Sequence, residues 1–84
     1  MKYTILLSRQ AEKFYKKLEE KVKTQVLESL IGLEIQSYAG KRLHGDLKEN
    51  YSLRVGKLRI IYTISEKDKT IYIIAIGPRK TIYQ

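Results

Sequence analysis

The sequence predicts an α+β fold in which an N-terminal strand and an antiparallel helical hairpin precede a three-stranded antiparallel meander, with the helices packed on one face of a twisted sheet. Three observations predict it. Residues 8–33 place apolar side chains at helical spacing, residues 51–62 alternate about a central Gly-Lys pair, and residues 70–76 form a nearly continuous apolar run. The 84 residues suffice for one core and not for a second lobe. With no repeat, linker or low-complexity segment in view, residues 1–84 are expected to form a single domain.

Each element has a local cause. Tyr3 to Leu7 reads as the first strand, and Ser8 is placed to cap a helix whose apolar positions are Ala11, Phe14, Tyr15, Leu18 and Val22. A break around Glu19 to Lys21 separates it from a second helical pattern, Val22, Val26, Leu30 and Leu33, with Leu27 and Ile31 alongside. From Ser37 to Asn50 the periodicity disappears, which predicts a polar connection punctuated by Gly40, Gly45 and Asn50.

The hairpin is the most specific local prediction. A two-residue loop at Gly56-Lys57 pairs Val55 with Leu58, Arg54 with Arg59, Leu53 with Ile60 and Ser52 with Ile61. Leu53, Val55, Leu58, Ile60 and Tyr62 then face the helices, while Ser52, Arg54, Arg59 and Ile61 look the other way. Phe14, Tyr15, Tyr51 and Tyr62 read as core aromatics. Glu66-Lys67-Asp68-Lys69 makes a polar turn, and the run Thr70 to Ile76 predicts a central strand covered on both faces. Gly77-Pro78 ends it, leaving a short tail from Arg79 to Gln84.

Charge narrows the partners. Seventeen Lys and Arg against nine Asp and Glu give a net charge of +8, which suits nucleic acid, an anionic membrane or an acidic protein. The surplus is local: residues 41–59 hold six basic residues against two acids, and Arg79 and Lys80 follow in the tail. No cysteine and a sole histidine remove disulfide chemistry and the usual zinc ligand sets, so no metal is expected and a reducing cytoplasmic setting is the default. No apolar stretch approaches the roughly 18 to 20 residues of a membrane-spanning helix.

Arg54 and Arg59 sit opposite each other with like charge, an arrangement that disfavours folding unless both heads reach water or share an anion. Lys41, Arg42 and Lys57 are candidate phosphate contacts, each of which would also serve as an ordinary solubilising charge. His44, in a glycine-flanked loop, is a weaker candidate. Exposed arginines on a basic protein are ordinarily solvated, so position on the sheet and motif must single out those that act.

The order of elements, with Leu43-His44-Gly45, Tyr51-Ser52-Leu53-Arg54-Val55-Gly56, Leu58-Arg59-Ile60-Ile61-Tyr62 and Ile76-Gly77-Pro78-Arg79-Lys80-Thr81-Ile82-Tyr83, resembles the RelE/ParE toxin superfamily over essentially the whole chain. The resemblance implies the toxin of a type II toxin–antitoxin pair, neutralised by an acidic, helical antitoxin that wraps it. In the RelE branch it implies a ribosome-dependent endonuclease that cuts mRNA through attack of a 2′-OH. The residues that match the family's catalytic positions are Arg54, Arg59, Arg79 and Tyr83, with Lys41, Arg42, His44, Ser52, Lys57 and Lys80 as RNA-contacting positions. Two departures stand out. Ser52 occupies a position where some RelE-like toxins carry lysine, and Pro78 one where histidine is common. Two other readings follow from the same resemblance: a ParE-like inhibitor of DNA gyrase, and a non-toxic member that binds antitoxin and operator DNA.

Tyr83 has two candidate roles, acid–base group or stacking platform for a base. The first needs neighbouring arginines to bring its phenol down from an ordinary value of about 10. The second needs only an exposed ring.

Overall fold

Ser8 starts the first helix by accepting a hydrogen bond from the Ala11 amide at 3.1 Å, the contact a serine N-cap supplies to an otherwise unpartnered donor. In the computed structural model, which describes residues 2–42 and 50–78, this helix is α1 (Arg9–Lys16) and follows strand β1 (Thr4–Leu7). The chain turns at Lys17–Glu19, slightly earlier than the periodicity suggests, and enters α2 (Glu20–Ile35). Strands β2 (Lys41–Arg42), β3 (Asn50–Val55), β4 (Leu58–Ser65) and β5 (Thr70–Pro78) complete the order.

The strands form one sheet in the order β1-β5-β4-β3-β2. The expected antiparallel meander is β3-β4-β5, and β1 joins its far edge parallel to β5, pairing Leu6 with Tyr72. One correction concerns the connection after α2, read from sequence as structureless. Lys41 and Arg42 form a short edge strand there, their backbone registered on Ser52 and Tyr51. A two-residue strand is too short to show a period of two.

The core lies between helices and sheet. Ala11, Val26, Leu30 and Leu33 from the helices meet Val55, Ile60, Tyr62, Ile71, Ile73 and Ile76 from the strands, with Phe14, Tyr15, Leu18, Tyr51, Leu53 and Leu58 packed around them. Burying side chains of this size contributes roughly 1.5 to 3 kcal/mol each. Leu27 and Ile31 depart from expectation, since both stay exposed on α2.

Strand β5 also departs from the expectation of cover on both faces, because Tyr72 and Ile74 remain exposed. Its alternation is interrupted by a bulge: Ile61 pairs with Ala75 and Tyr62 with Ile73, leaving Ile74 as the extra residue. The insertion explains how Ile73 and Ile76, three apart, are both fully buried. An unbroken period of two would send one of them outward.

Tyr62 is the polar hub of the core. Its hydroxyl donates to the Ser37 carbonyl at 2.9 Å and accepts from the Gly40 amide at 2.9 Å, pinning the segment after α2 to the sheet. Burial raises the phenol's pKa above its ordinary value, so it remains a donor. Gly40 approaches so closely that an added Cβ would stand 2.6 Å from the Tyr62 hydroxyl and 2.9 Å from the Ser52 carbonyl oxygen. Tyr62 stacks on Tyr51 at 5.5 Å, and Tyr51 meets Tyr38 edge-on at 5.6 Å.

A second polar cluster closes the other end of the sheet. The Tyr3 hydroxyl donates to both carboxylate oxygens of Glu66 at 2.8 and 2.9 Å, Tyr38 donates to the same carboxylate, and Lys69 reaches it at 3.0 Å. The hydrogen bonds from Tyr38, Lys69 and Tyr3 hold the Glu66 carboxyl down at about 2, while the bond to Glu66 pushes Tyr38 up to about 12.

Two tests follow. Tyr62→Phe leaves the Ser37 carbonyl and the Gly40 amide without their partner, and is expected to destabilise the fold by about 1 to 3 kcal/mol in urea unfolding. For Glu66, a folded-state pKa below the unfolded 4.5 means that its stabilisation is complete above that value and disappears as pH falls toward about 2. The urea midpoint should therefore decline across that window, and Glu66→Gln should flatten the decline; an identical pH profile would contradict the assignment.

Candidate functional site

Gly56 makes the arginine pair possible. It is the first central residue of the β3–β4 turn and takes φ +59, whereas Lys57 does not take a positive φ, the pattern of a type II′ hairpin. The two-residue loop sets the register without slack, and Arg54 pairs with Arg59, Ser52 with Ile61 and Asn50 with Thr63. Arg54 is exposed and Arg59 partly so. Both lie on the sheet face away from the helices, because the intervening Val55, Leu58, Ile60 and Tyr62 supply the core.

That face has a graded character. Arg54 and Arg59, with Gly77 of β5 paired to Arg59, occupy the end near the hairpin turn. Gly77, which carries no side chain, is itself buried. Ser52 and Ile61 form the next row and are both buried, although the sequence places them on a solvent-facing side. Toward β1 the face becomes apolar, with Leu6, Tyr72 and Ile74 exposed.

Two side chains hold β5 in place: Ser8, expected from the sequence only as a helix cap, and Gln10, which the sequence did not single out. Where β1 stops, the Ser8 amide donates to the Ile73 carbonyl at 2.9 Å and the Ser8 hydroxyl to the Ile74 carbonyl at 2.6 Å. Gln10 then acts as a substitute strand: its Nε2 donates to the Ile76 carbonyl at 3.0 Å and its Oε1 accepts from the Ile76 amide at 3.1 Å. The first turn of α1 thereby satisfies the edge of the strand that leads to Gly77, Pro78 and the tail. A glutamine in a first helical turn carries no sequence signal for such a role.

Of the other predicted site residues, Lys57 is exposed at the hairpin turn, and the backbone of Lys41 and Arg42 runs beside Ser52 and Tyr51 at the β2 edge. The tie from Tyr62 to Gly40 therefore also fixes where β2 begins. His44, Arg79, Lys80 and Tyr83 lie outside the described residues. A cavity of about 480 Å³ opens at the end of the core, between Leu18 and Val22 of the helical hairpin and Val55 and Leu58, with Lys17 and Lys57 at its margin. It lies on the helix side, away from the face that carries Arg54 and Arg59. Among the described residues, no helix is long and apolar enough to cross a membrane, and no three His, Cys, Asp or Glu gather to hold a metal ion.

A helical hairpin over a mixed sheet, with a cationic pair across the β3–β4 turn on the face away from the helices, defines a RelE-like toxin fold. Residues 5–83 match the ParE toxin of the type II toxin–antitoxin system parDE, and the chain belongs to that family, within the RelE/ParE superfamily. The fold is similar to the RelBE2 toxin–antitoxin complex of Mycobacterium tuberculosis, with 26% identity, 94% of this chain and 100% of that one covered, and a TM-score of 0.85. It is also similar to the archaeal RelE–RelB complex of Pyrococcus horikoshii, at 28% identity, 96% and 99% coverage and a TM-score of 0.79. The isolated RelE toxin of Escherichia coli, at 21% identity with 96% and 90% coverage and a TM-score of 0.76, shares the fold. No curated protein matches the sequence.

The like-charged pair has a measurable cost. Replacing Arg54 by Thr removes the repulsion and supplies a residue that favours strands, and is expected to raise stability by about 0.2 to 1 kcal/mol in urea unfolding at low salt. Equal stability at low and high salt for both proteins would show that the pair is not in repulsive contact.

Proposed function

We propose that this toxin is a ribosome-dependent mRNA endonuclease. The observation that carries the reading is the register of Arg54 on Arg59, which sets two guanidinium groups on the sheet face not used by the core. Cleavage by 2′-OH attack builds negative charge on the scissile phosphate as the 2′-oxygen bonds to phosphorus and the 5′-oxygen departs with a proton. Arginine stabilises that charge through its planar fork, and one such contact contributes about 3 to 4 kcal/mol, or two to three decades in rate.

In this reading Arg59, with Arg79 of the tail, clamps the phosphate, Arg54 positions the RNA backbone from the opposite strand, and Tyr83 serves as acid–base group or stacking platform. Lys41, Arg42, His44, Lys57 and Lys80 line the RNA path, whereas Ser52, expected there from the sequence, is buried. Ser52 brings no charge and is buried, so this chain does without one cation that some relatives use. No acid or histidine of the described residues stands in the arginine row, and orientation by the ribosome would supply what acid–base chemistry lacks. Positioning can contribute roughly 7 to 11 kcal/mol to a reaction of this kind.

An antitoxin is the expected partner of such a toxin, and a net charge of +8 suits an acidic one. The match to the ParE toxin favours a second reading, inhibition of DNA gyrase without nuclease chemistry. In vitro translation followed by primer extension separates the two. Cuts spaced by codons in ribosome-bound mRNA support the endonuclease; intact mRNA with accumulation of gyrase–DNA cleavage complexes supports the inhibitor. Arg59→Ala is expected to lower cleavage by about two decades or more at unchanged circular dichroism. Full cleavage by that variant would remove Arg59 from the mechanism.

A further inference from the structure

Ser8 donates to two successive carbonyls of β5, its amide to Ile73 at 2.9 Å and its hydroxyl to Ile74 at 2.6 Å. In a regular strand successive carbonyls point to opposite edges, so one residue alongside cannot reach both. The two bonds coexist because Ile74 is the extra residue of the bulge. The same hydroxyl accepts from the Ala11 amide at 3.1 Å, so its one proton serves β5 while a lone pair caps α1.

The bulge decides what stands opposite Arg59. Tyr62 pairs with Ile73, and an uninterrupted ladder from there would set Ile61 against Ile74, Ile60 against Ala75 and Arg59 against Ile76. The observed partners are Ala75, Ile76 and Gly77 in turn. Losing the bulge would therefore turn Ile76 out of the core onto the arginine face and bring Ala75 in. Hydropathy guards against this weakly, since residues 73–76 read Ile-Ile-Ala-Ile and fill the inward positions with apolar side chains in either register. Burial of Ile76 favours the bulged register, and so does the Ser8 hydroxyl bond, which only the bulge permits. Gln10 does not discriminate, because it grips the backbone of whichever residue lies opposite Ile60.

We propose that Ser8 is a positioning residue for the arginine row: its hydroxyl clamps the β5 bulge, and the clamp keeps Gly77, not Ile76, opposite Arg59. The consequence for cleavage rests on the endonuclease reading above, whereas the clamp itself does not.

Ser8→Asp separates the two duties of the hydroxyl. An ionised carboxylate caps a helix as well as serine does, but it has no proton for the Ile74 carbonyl. Ser8→Thr keeps both bonds. Hydrogen exchange followed by NMR is expected to show the amides of Ala75, Ile76 and Gly77 about tenfold less protected in Ser8→Asp at unchanged circular dichroism, and Ser8→Thr like the wild type. In ribosome-dependent cleavage Ser8→Asp should lower kcat about tenfold at unchanged KM, with Ser8→Thr restoring it. Wild-type protection of those three amides in Ser8→Asp would overturn the clamp. Lost protection with a wild-type kcat would overturn the positioning role. A wild-type chain that leaves ribosome-bound mRNA intact would defeat the endonuclease reading instead, and the exchange comparison would still decide the clamp.

Discussion

The register across the Gly56-Lys57 turn governs this molecule. Val55, Ile60 and Tyr62 must all enter the core, and a strand's side chains alternate with a period of two, so Arg54 and Arg59 have no alternative but to meet on the opposite face. A slip of one residue would bring the arginines under the helices and expel Ile60 and Tyr62. The core therefore enforces a like-charge pairing that local electrostatics disfavours. In the proposed function, a phosphate held near both guanidinium groups would offset that conflict between levels of structure.

The rest of the fold keeps that register rigid. Strand β4 lies in the middle of the sheet, and its other neighbour β5 is held along both edges, by β4 on one side and by β1, Ser8 and Gln10 in succession on the other. The bulge at Ile74 lets β5 return Ile76 to the core after Ile73 without losing its pairing to β4. Tyr62 couples the arginine-bearing strand to the segment that precedes β2 through two hydrogen bonds in a buried setting. Glu66, shared by Tyr3, Tyr38 and Lys69, ties the β4–β5 turn to the start of β1 and to the residues after α2.

The hairpin partners were legible in the sequence because a two-residue turn and a period of two leave one solution. The Ser8 cap was legible because an apolar helical pattern begins three residues after a residue that accepts amide bonds. The short strand β2 was not, since two residues cannot display a period. Neither was the Ile74 bulge, because a run of isoleucines looks the same with or without an inserted residue. The side-chain bonds of Gln10 to Ile76 depend on where α1 lies relative to β5, which no local pattern encodes. The exposure of Leu27 and Ile31 and the burial of Ser52 and Ile61 likewise follow from packing and not from hydropathy. Arg54 and Arg59 could thus be set on one face from sequence by register alone, whereas the rest of the proposed site, Arg79 and Tyr83, rests on motif resemblance and lies outside the described residues.

The most direct measurement is a double-mutant cycle on Arg54 and Arg59, read by urea unfolding with and without a short single-stranded RNA. A repulsive coupling of about 0.2 to 1 kcal/mol is expected in the free protein, changing to zero or to attraction when RNA is bound. Independent, additive effects in both conditions would show that the two guanidinium groups neither repel each other nor share an anion.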